Sequence, residues 1–151
     1  MNATTQAISP ELASKIASLA VLFRREFSGS TVDLCPWVDD EETQSALDPY
    51  SIDLSFYLPK QIGNLSCRCI LIEVHFSEDL LLPYCQLQTI EAYGYTCTQQ
   101  EWQFSTDDWR FVGSSIPNIE SQVRFSKLVS CISELFAHPN QVKLLDRDAL
   151  G

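Results

Sequence analysis

Positive charge is scarce in this chain. Ten Lys and Arg stand against 20 Asp and Glu, giving a formal net charge of −10 over 151 residues. That balance argues against a duplex nucleic-acid binder or a protein seated on anionic lipid, because both need clustered Lys and Arg to neutralise phosphate. Glycine is also sparse, at five residues, and none falls in a G-x-G or G-x-x-x-x-G-K arrangement, so no phosphate-cradling loop is present. Long apolar runs are missing as well. Ile70–Leu71–Ile72 and Leu80–Leu81–Leu82 are far short of the ~20 residues that span a bilayer. What the chain does have is 45% apolar residues and 11% aromatics, enough for a real core and too many for a disordered acidic chain. The length suits one domain, 1–151, which buries roughly two-thirds of its unfolded surface on folding.

The first ten residues, Met1 to Pro10, show no basic stretch followed by an apolar one, so no secretory leader is expected and a cytoplasmic, reducing setting is. The six cysteines, Cys35, Cys67, Cys69, Cys85, Cys97 and Cys131, are then free thiols rather than a disulfide framework. Zinc motifs use Cys-x₂₋₄-Cys pairs or paired histidines. Here Cys67 and Cys69 are the one close pair, and His75 and His138 lie far apart. In an extended strand the two cysteines share a face, as small apolar fillers do. Neither a metal nor a cofactor is expected. Asn64-Leu65-Ser66 matches a glycosylation acceptor, but an intracellular chain gives it no role.

Helical spacing governs both ends. Over 9–28, Leu12, Ile16, Leu19, Ala20, Phe23 and Phe27 recur at intervals of three and four. Ser9 caps the start, Pro10 sits at the first helical position, and Gly29 supplies a stop. Val21 and Leu22 lie off this stripe, which a dimer contact would explain. Over 118–137, Phe125, Leu128, Val129, Ile132, Leu135 and Phe136 line one face. Asn118 serves as cap, and Pro139 ends the element. The tail, 138–151, carries Val142, Leu144 and Leu145 and reads as a docking segment.

Between the helices the period falls to two. Residues 30–50 hold a short strand near Thr31–Cys35 and then the run Asp39-Asp40-Glu41-Glu42, read as an acidic, partner-facing loop. Ser51–Leu58 sets Ile52, Leu54, Phe56 and Leu58 against Asp53, Ser55 and Tyr57; Cys67–Phe76 sets Ile70, Ile72, Val74 and Phe76 against Cys69, Leu71, Glu73 and His75. Tyr84–Tyr95 changes phase near Gln88-Thr89, which implies a bulge. Glu101–Phe104 and Trp109–Val112 flank the turn signal Ser105-Thr106-Asp107-Asp108, placing Trp102 and Phe104 opposite Trp109 and Phe111. The fold class that follows is α+β: a two-layer sandwich in which an antiparallel meander of about five strands, 51–113, has the terminal helices packed on one face. Such a sheet leaves its other face open to water or to a partner.

No catalytic signature emerges. None of the thiols sits where a helix N-terminus or a cationic neighbour would activate it. Glu73 and His75, two apart on one strand face, form the one attractive acid–base pair, and with Tyr84 they define a small-molecule or enzyme alternative. The acidic run lacks the D-x-D-x-D-G order of a calcium loop. Its use is electrostatic capture of a Lys- and Arg-rich segment. The expected contact residues for such a partner are Trp37, Asp39, Asp40, Glu41, Glu42, Tyr57, Tyr84, Trp102 and Trp109, combining acids with aromatic anchors.

Size, negative charge, the N-terminal amphipathic helix (Leu12–Phe27), the meander (Ser51–Val112) and the C-terminal amphipathic helix (Phe125–Phe136) together resemble the small acidic type III secretion chaperones. That resemblance implies a non-enzymatic dimer holding an extended segment of a client protein. The same fold usually inserts a helix into its sheet, for which Ser77–Leu82 is the available stretch. The function expected is an acidic protein-binding module, an adaptor or assembly chaperone, that captures a flexible and basic peptide.

Overall fold

The computed structural model describes residues 1–59 and 67–137. The element order is α1 (Ala3–Gln6), α2 (Pro10–Glu26), β1 (Thr31–Asp33), α3 (Glu41–Ala46), β2 (Ser51–Tyr57), β3 (Cys69–Phe76), β4 (Leu87–Tyr95), β5 (Gln100–Ser105), β6 (Arg110–Gly113) and α4 (Ile119–Leu135). The strands form one sheet in the order β1-β2-β3-β4-β5-β6, antiparallel throughout. The meander expected over 51–113 supplies five strands, and the short strand at Thr31 joins its edge as a sixth.

Each long helix is built as its sequence specifies. The Ser9 side chain accepts a hydrogen bond from the Leu12 N–H, with Pro10 opening α2. Asn118 accepts from the Ser121 N–H to open α4. Leu12, Ile16, Leu19 and Phe23 bury one stripe, and Phe125, Leu128, Val129 and Ile132 bury the other. Gly29 adopts φ +82°, the left-handed geometry that lets the chain leave α2 for β1. The Arg124 guanidinium reaches Glu26 at 2.6 Å and ties the two helices together.

Under them lies the inner sheet face: Ile52, Leu54, Phe56, Ile70, Ile72, Val74, Ile90, Ala92, Trp102 and Phe104, all buried. Phe23 stacks on Phe56 with ring centres 3.8 Å apart. At the other end Phe125 meets Trp102, Phe104 and Phe111 edge-on, at 5.5–5.6 Å. The aromatic pairing expected across β5 and β6 is present: Phe104 sits opposite Phe111, at 5.0 Å. Trp109 belongs to the turn rather than the strand, at φ +56°, with its ring edge-on to Phe104.

The phase change in β4 is a bulge. His75 pairs with Thr89 and Phe76 with Leu87, leaving Gln88 as the extra residue. It returns Ile90 and Ala92 to the core and turns Glu91 and Tyr93 outward.

Several local expectations change. The acidic run is not an irregular loop, because Asp40 caps α3 by accepting from the Thr43 N–H while Glu41 and Glu42 occupy its first turn. Carboxylates there suit the partial positive charge of a helix start. Cys67 and Cys69 do not share a face. β3 begins only at Cys69, so Cys67 drops into the core. Residues 77–86 run as turns, so Ser77–Leu82 supplies no mid-sheet helix. The sequence signals also pass over α1, whose Ala3 joins the core and whose Gln6 amide donates to the carbonyls of Pro49 and Ser51. The loop around Lys60–Asn64 and the tail 138–151 lie outside the described residues. No helix among the described residues is long and apolar enough to cross a membrane.

Candidate functional site

The helices roof one side of the sheet, and the chemistry gathers on the other. Alternation along β2, β3 and β4 sends Asp53, Ser55 and Tyr57, then Leu71, Glu73 and His75, then Glu91, Tyr93 and Tyr95, to the face away from the helices, where Asp53, Ser55 and Leu71 are buried and Tyr57 is exposed. The registers put Asp53 opposite Glu73 and Glu73 opposite Glu91. Three carboxylates therefore lie in one row across three neighbouring strands. Like charges directly opposite one another oppose sheet pairing, so the row depends on compensating partners.

His75 is one of these partners. Its Nδ1 lies 2.8 Å from Asp48 Oδ2, its Nε2 3.2 Å from Glu73 Oε2, and Nε2 is 3.6 Å from Glu91 Oε2. The hydrogen bond to Glu73 raises the imidazole pKa most. Burial works against it, Asp48 and the charge of Glu91 add to it, and the result is about 9. His75 is thus an imidazolium at neutral pH, enclosed by three carboxylates. Asp48, which burial alone would raise, is held below its ordinary range by the His75 bond and by the Tyr50 N–H. The Tyr93 hydroxyl donates to Glu91 Oε2 at 2.7 Å. Burial, followed by that bond, pushes the Tyr93 phenol well above its usual value.

Asp53 is the deepest member, 2% exposed. Its Oδ2 accepts from the Trp37 indole N–H at 2.8 Å and from the Met1 amino group at 2.5 Å. Oδ1 is buried with no hydrogen-bond partner among the described residues. Burial raises the Asp53 carboxyl above its ordinary value.

Trp37 to Asp53 and Asp48 to His75 fasten the segment between β1 and β2 to this face near both of its ends. Between these two fastenings Asp39, Asp40, Glu41 and Glu42 are exposed. Of the residues expected to meet a partner, Trp37 hydrogen-bonds to Asp53 on this face, Tyr57 is 49% exposed, and the four acids are exposed in the segment between Trp37 and Asp48. Tyr84 is exposed in the β3–β4 loop, with no hydrogen bond to Glu73 or His75. The groups that do meet His75 are Asp48, Glu73 and Glu91. Trp109 is exposed in the β5–β6 turn on the helical side, beside Ile119 and Val123 of α4. Trp102 is fully buried beneath α4 and cannot touch a partner. Burial lifts the Cys67 thiol to about 12, which leaves it inert as a nucleophile.

Asp48, Glu91 and Tyr93 were not singled out by the sequence. Glu91 and Tyr93 share the two-residue period of Glu73 and His75, but their alignment depends on the Gln88 bulge. Glu73, His75 and Glu91 offer donor atoms all within 4.8 Å of one another.

Sheet, roof and cluster together define an acidic α+β protein whose sheet face opposite the helices holds a histidine ringed by carboxylates. Residues 4–138 match a family model described as a domain of unknown function, and the chain belongs to that family. No curated protein and no solved structure matches it.

Proposed function

We propose that this chain is a non-enzymatic, cytoplasmic acidic binding module, an adaptor or assembly chaperone. It holds an extended basic segment of a client protein along its open sheet face. The observation carrying this reading is the double fastening of the β1–β2 segment. Trp37 on Asp53 and Asp48 on His75 bracket the exposed Asp39, Asp40, Glu41 and Glu42 along the chain, and the same sheet face bears Glu73 and Glu91. Tyr57, Tyr93 and Tyr95 on the same face offer rings to the aliphatic stems and charged heads of Lys and Arg. The net charge of −10 supplies long-range attraction. A second copy of the chain remains a proposed partner through α2, where Val21 is exposed and Leu22 borders a groove with Leu135 of α4.

The test is anisotropy of labelled oligo-lysine and oligo-arginine peptides against a neutral peptide of equal length. Binding of the basic peptides should weaken steeply with salt. Changing Asp39, Asp40, Glu41 and Glu42 to Ser should slow association, whereas Asp107→Ser with Asp108→Ser should not. Salt-independent binding, or equal loss in both variants, removes this reading.

A small-molecule-binding or enzymatic alternative draws on the Asp48–His75–Glu73 chain, which has the hydrogen-bonded order of an acid–base relay.

A further inference from the structure

We propose that Glu73, His75 and Glu91 form a binding site for a divalent transition-metal ion of the zinc class, with Asp48 as the outer carboxylate that orients His75. The proposal does not depend on the peptide-binding reading, since it concerns the metal alone.

Four observations carry it. The first is spacing. His75 Nε2 stands 3.2 Å from Glu73 Oε2 and 3.6 Å from Glu91 Oε2. An ion bonded to imidazole nitrogen and carboxylate oxygen at about 2.0–2.2 Å holds adjacent donors roughly 3–3.5 Å apart. Both edges from His75 therefore stand near those of a coordination polyhedron, and the three donor atoms all lie within 4.8 Å of one another.

The second is the hydrogen bond behind the imidazole. Nδ1 is 2.8 Å from Asp48 Oδ2, which fixes the ring and leaves Nε2 pointing at the two glutamates. Carboxylate, histidine and metal in that order recur at zinc sites. Glu91 has its own outer partner in the Tyr93 hydroxyl.

The third is charge. Three carboxylates, Asp48, Glu73 and Glu91, converge on the single His75 ring. A divalent ion set among them offsets their mutual repulsion.

The fourth is Asp53, next in the carboxylate row and directly opposite Glu73. It is nearly wholly buried, and its Oδ1 lacks a hydrogen-bond partner among the described residues. Such a buried oxygen is costly to leave unpaired, and beside a metal-bound Glu73 it would accept from a metal-bound water. The donors are nitrogen and oxygen without a thiolate. That set favours zinc and its first-row neighbours over magnesium or calcium, which prefer all-oxygen shells.

The test titrates the full chain, stripped with chelator, with Zn²⁺ in a calorimeter and with Co²⁺ in a visible spectrometer. One equivalent should bind with micromolar or tighter affinity, and Co²⁺ should show the absorption of a nitrogen–oxygen site. His75→Asn and Glu91→Gln should each weaken binding by more than the roughly 10- to 100-fold that loss of an outer-shell partner costs. Glu91→Gln removes one charge from a repelling row while keeping its shape, and circular dichroism reports whether it folds. Changing the exposed Cys35, Cys97 and Cys131 to Ser should leave binding intact. Absence of saturable binding, full binding by folded Glu91→Gln and His75→Asn, or loss of binding in the cysteine variant overturns the proposal.

Discussion

The indole of Trp102 covers Gly94 on the neighbouring strand so closely that a Cβ at Gly94 would fall 2.2 Å from Trp102 Cε2. The two residues are register partners on the inner face. Trp102 is enclosed by Phe111 and Phe125 and has no room to retreat. Gly94→Ala is therefore expected to cost about 1–3 kcal/mol as an overpacked core. A lowered urea midpoint checks this, and an unchanged one would mean that the indole can shift.

Phe23 joins α2 to the sheet through its stack on Phe56. Both rings are fully buried. Phe23→Ala should destabilise by about 3–5 kcal/mol, the range for emptying an aromatic site in a core. Phe23→Leu should cost less. Equilibrium unfolding of the pair distinguishes packing at this point from a general need for an aromatic.

His75 gives the stability of the metal-free protein a defined pH dependence. Its folded pKa, about 9, lies above the ordinary 6.5, so the folded state holds its proton more tightly than the unfolded state. The stabilisation is complete below about 6.5 and is lost as pH rises through about 9. Asp48, Glu73 and Glu91 are the groups facing it. With chelator present, the urea midpoint should fall more between pH 7 and pH 10 in the parent chain than in His75→Gln. An imidazole titrating at or below 6.5 by NMR would contradict the geometry.

The Trp37 indole N–H meets a carboxylate inside the protein. Trp37→Phe keeps most of the ring and deletes the donor, leaving Asp53 Oδ2 one partner short. A loss of about 1–3 kcal/mol is expected. Amide hydrogen exchange should quicken across residues 38–48 and not in α4. Uniform quickening would show that Trp37 supports the whole fold rather than this segment.

The large elements were legible because their signals are local. Ser9 with Pro10, Asn118, and the apolar spacing from Leu12 to Phe23 or from Phe125 to Ile132 each specify a helix without reference to the rest of the chain. Alternation from Ile52 to Leu58 and from Ile70 to Phe76 specifies strands in the same way, and the slip at Gln88 was visible as a broken period. The cluster was not legible, since it depends on distance along the chain. Asp48 meets His75 from 27 residues away, in a turn after a short helix whose acids read as a loop. Glu91 faces Glu73 only because one extra residue in β4 resets its phase. The aromatics were hardest to sort. Trp37, Trp102 and Trp109 look alike in the sequence, yet one hydrogen-bonds at the open face, one is entombed and one stands in a turn. What separates them is the packing of α4, which strand alternation does not reveal.

Because the roof is divided between α2 and α4, ribosomal synthesis makes it in two instalments. The first helix emerges before any strand it will cover. The second emerges only after the hairpin of Trp102, Phe104 and Phe111 is complete. Until Phe125 arrives, that greasy end of the nascent sheet stands bare, so the interval before the last helix leaves the exit tunnel is when clumping or a holding factor competes most strongly with correct closure.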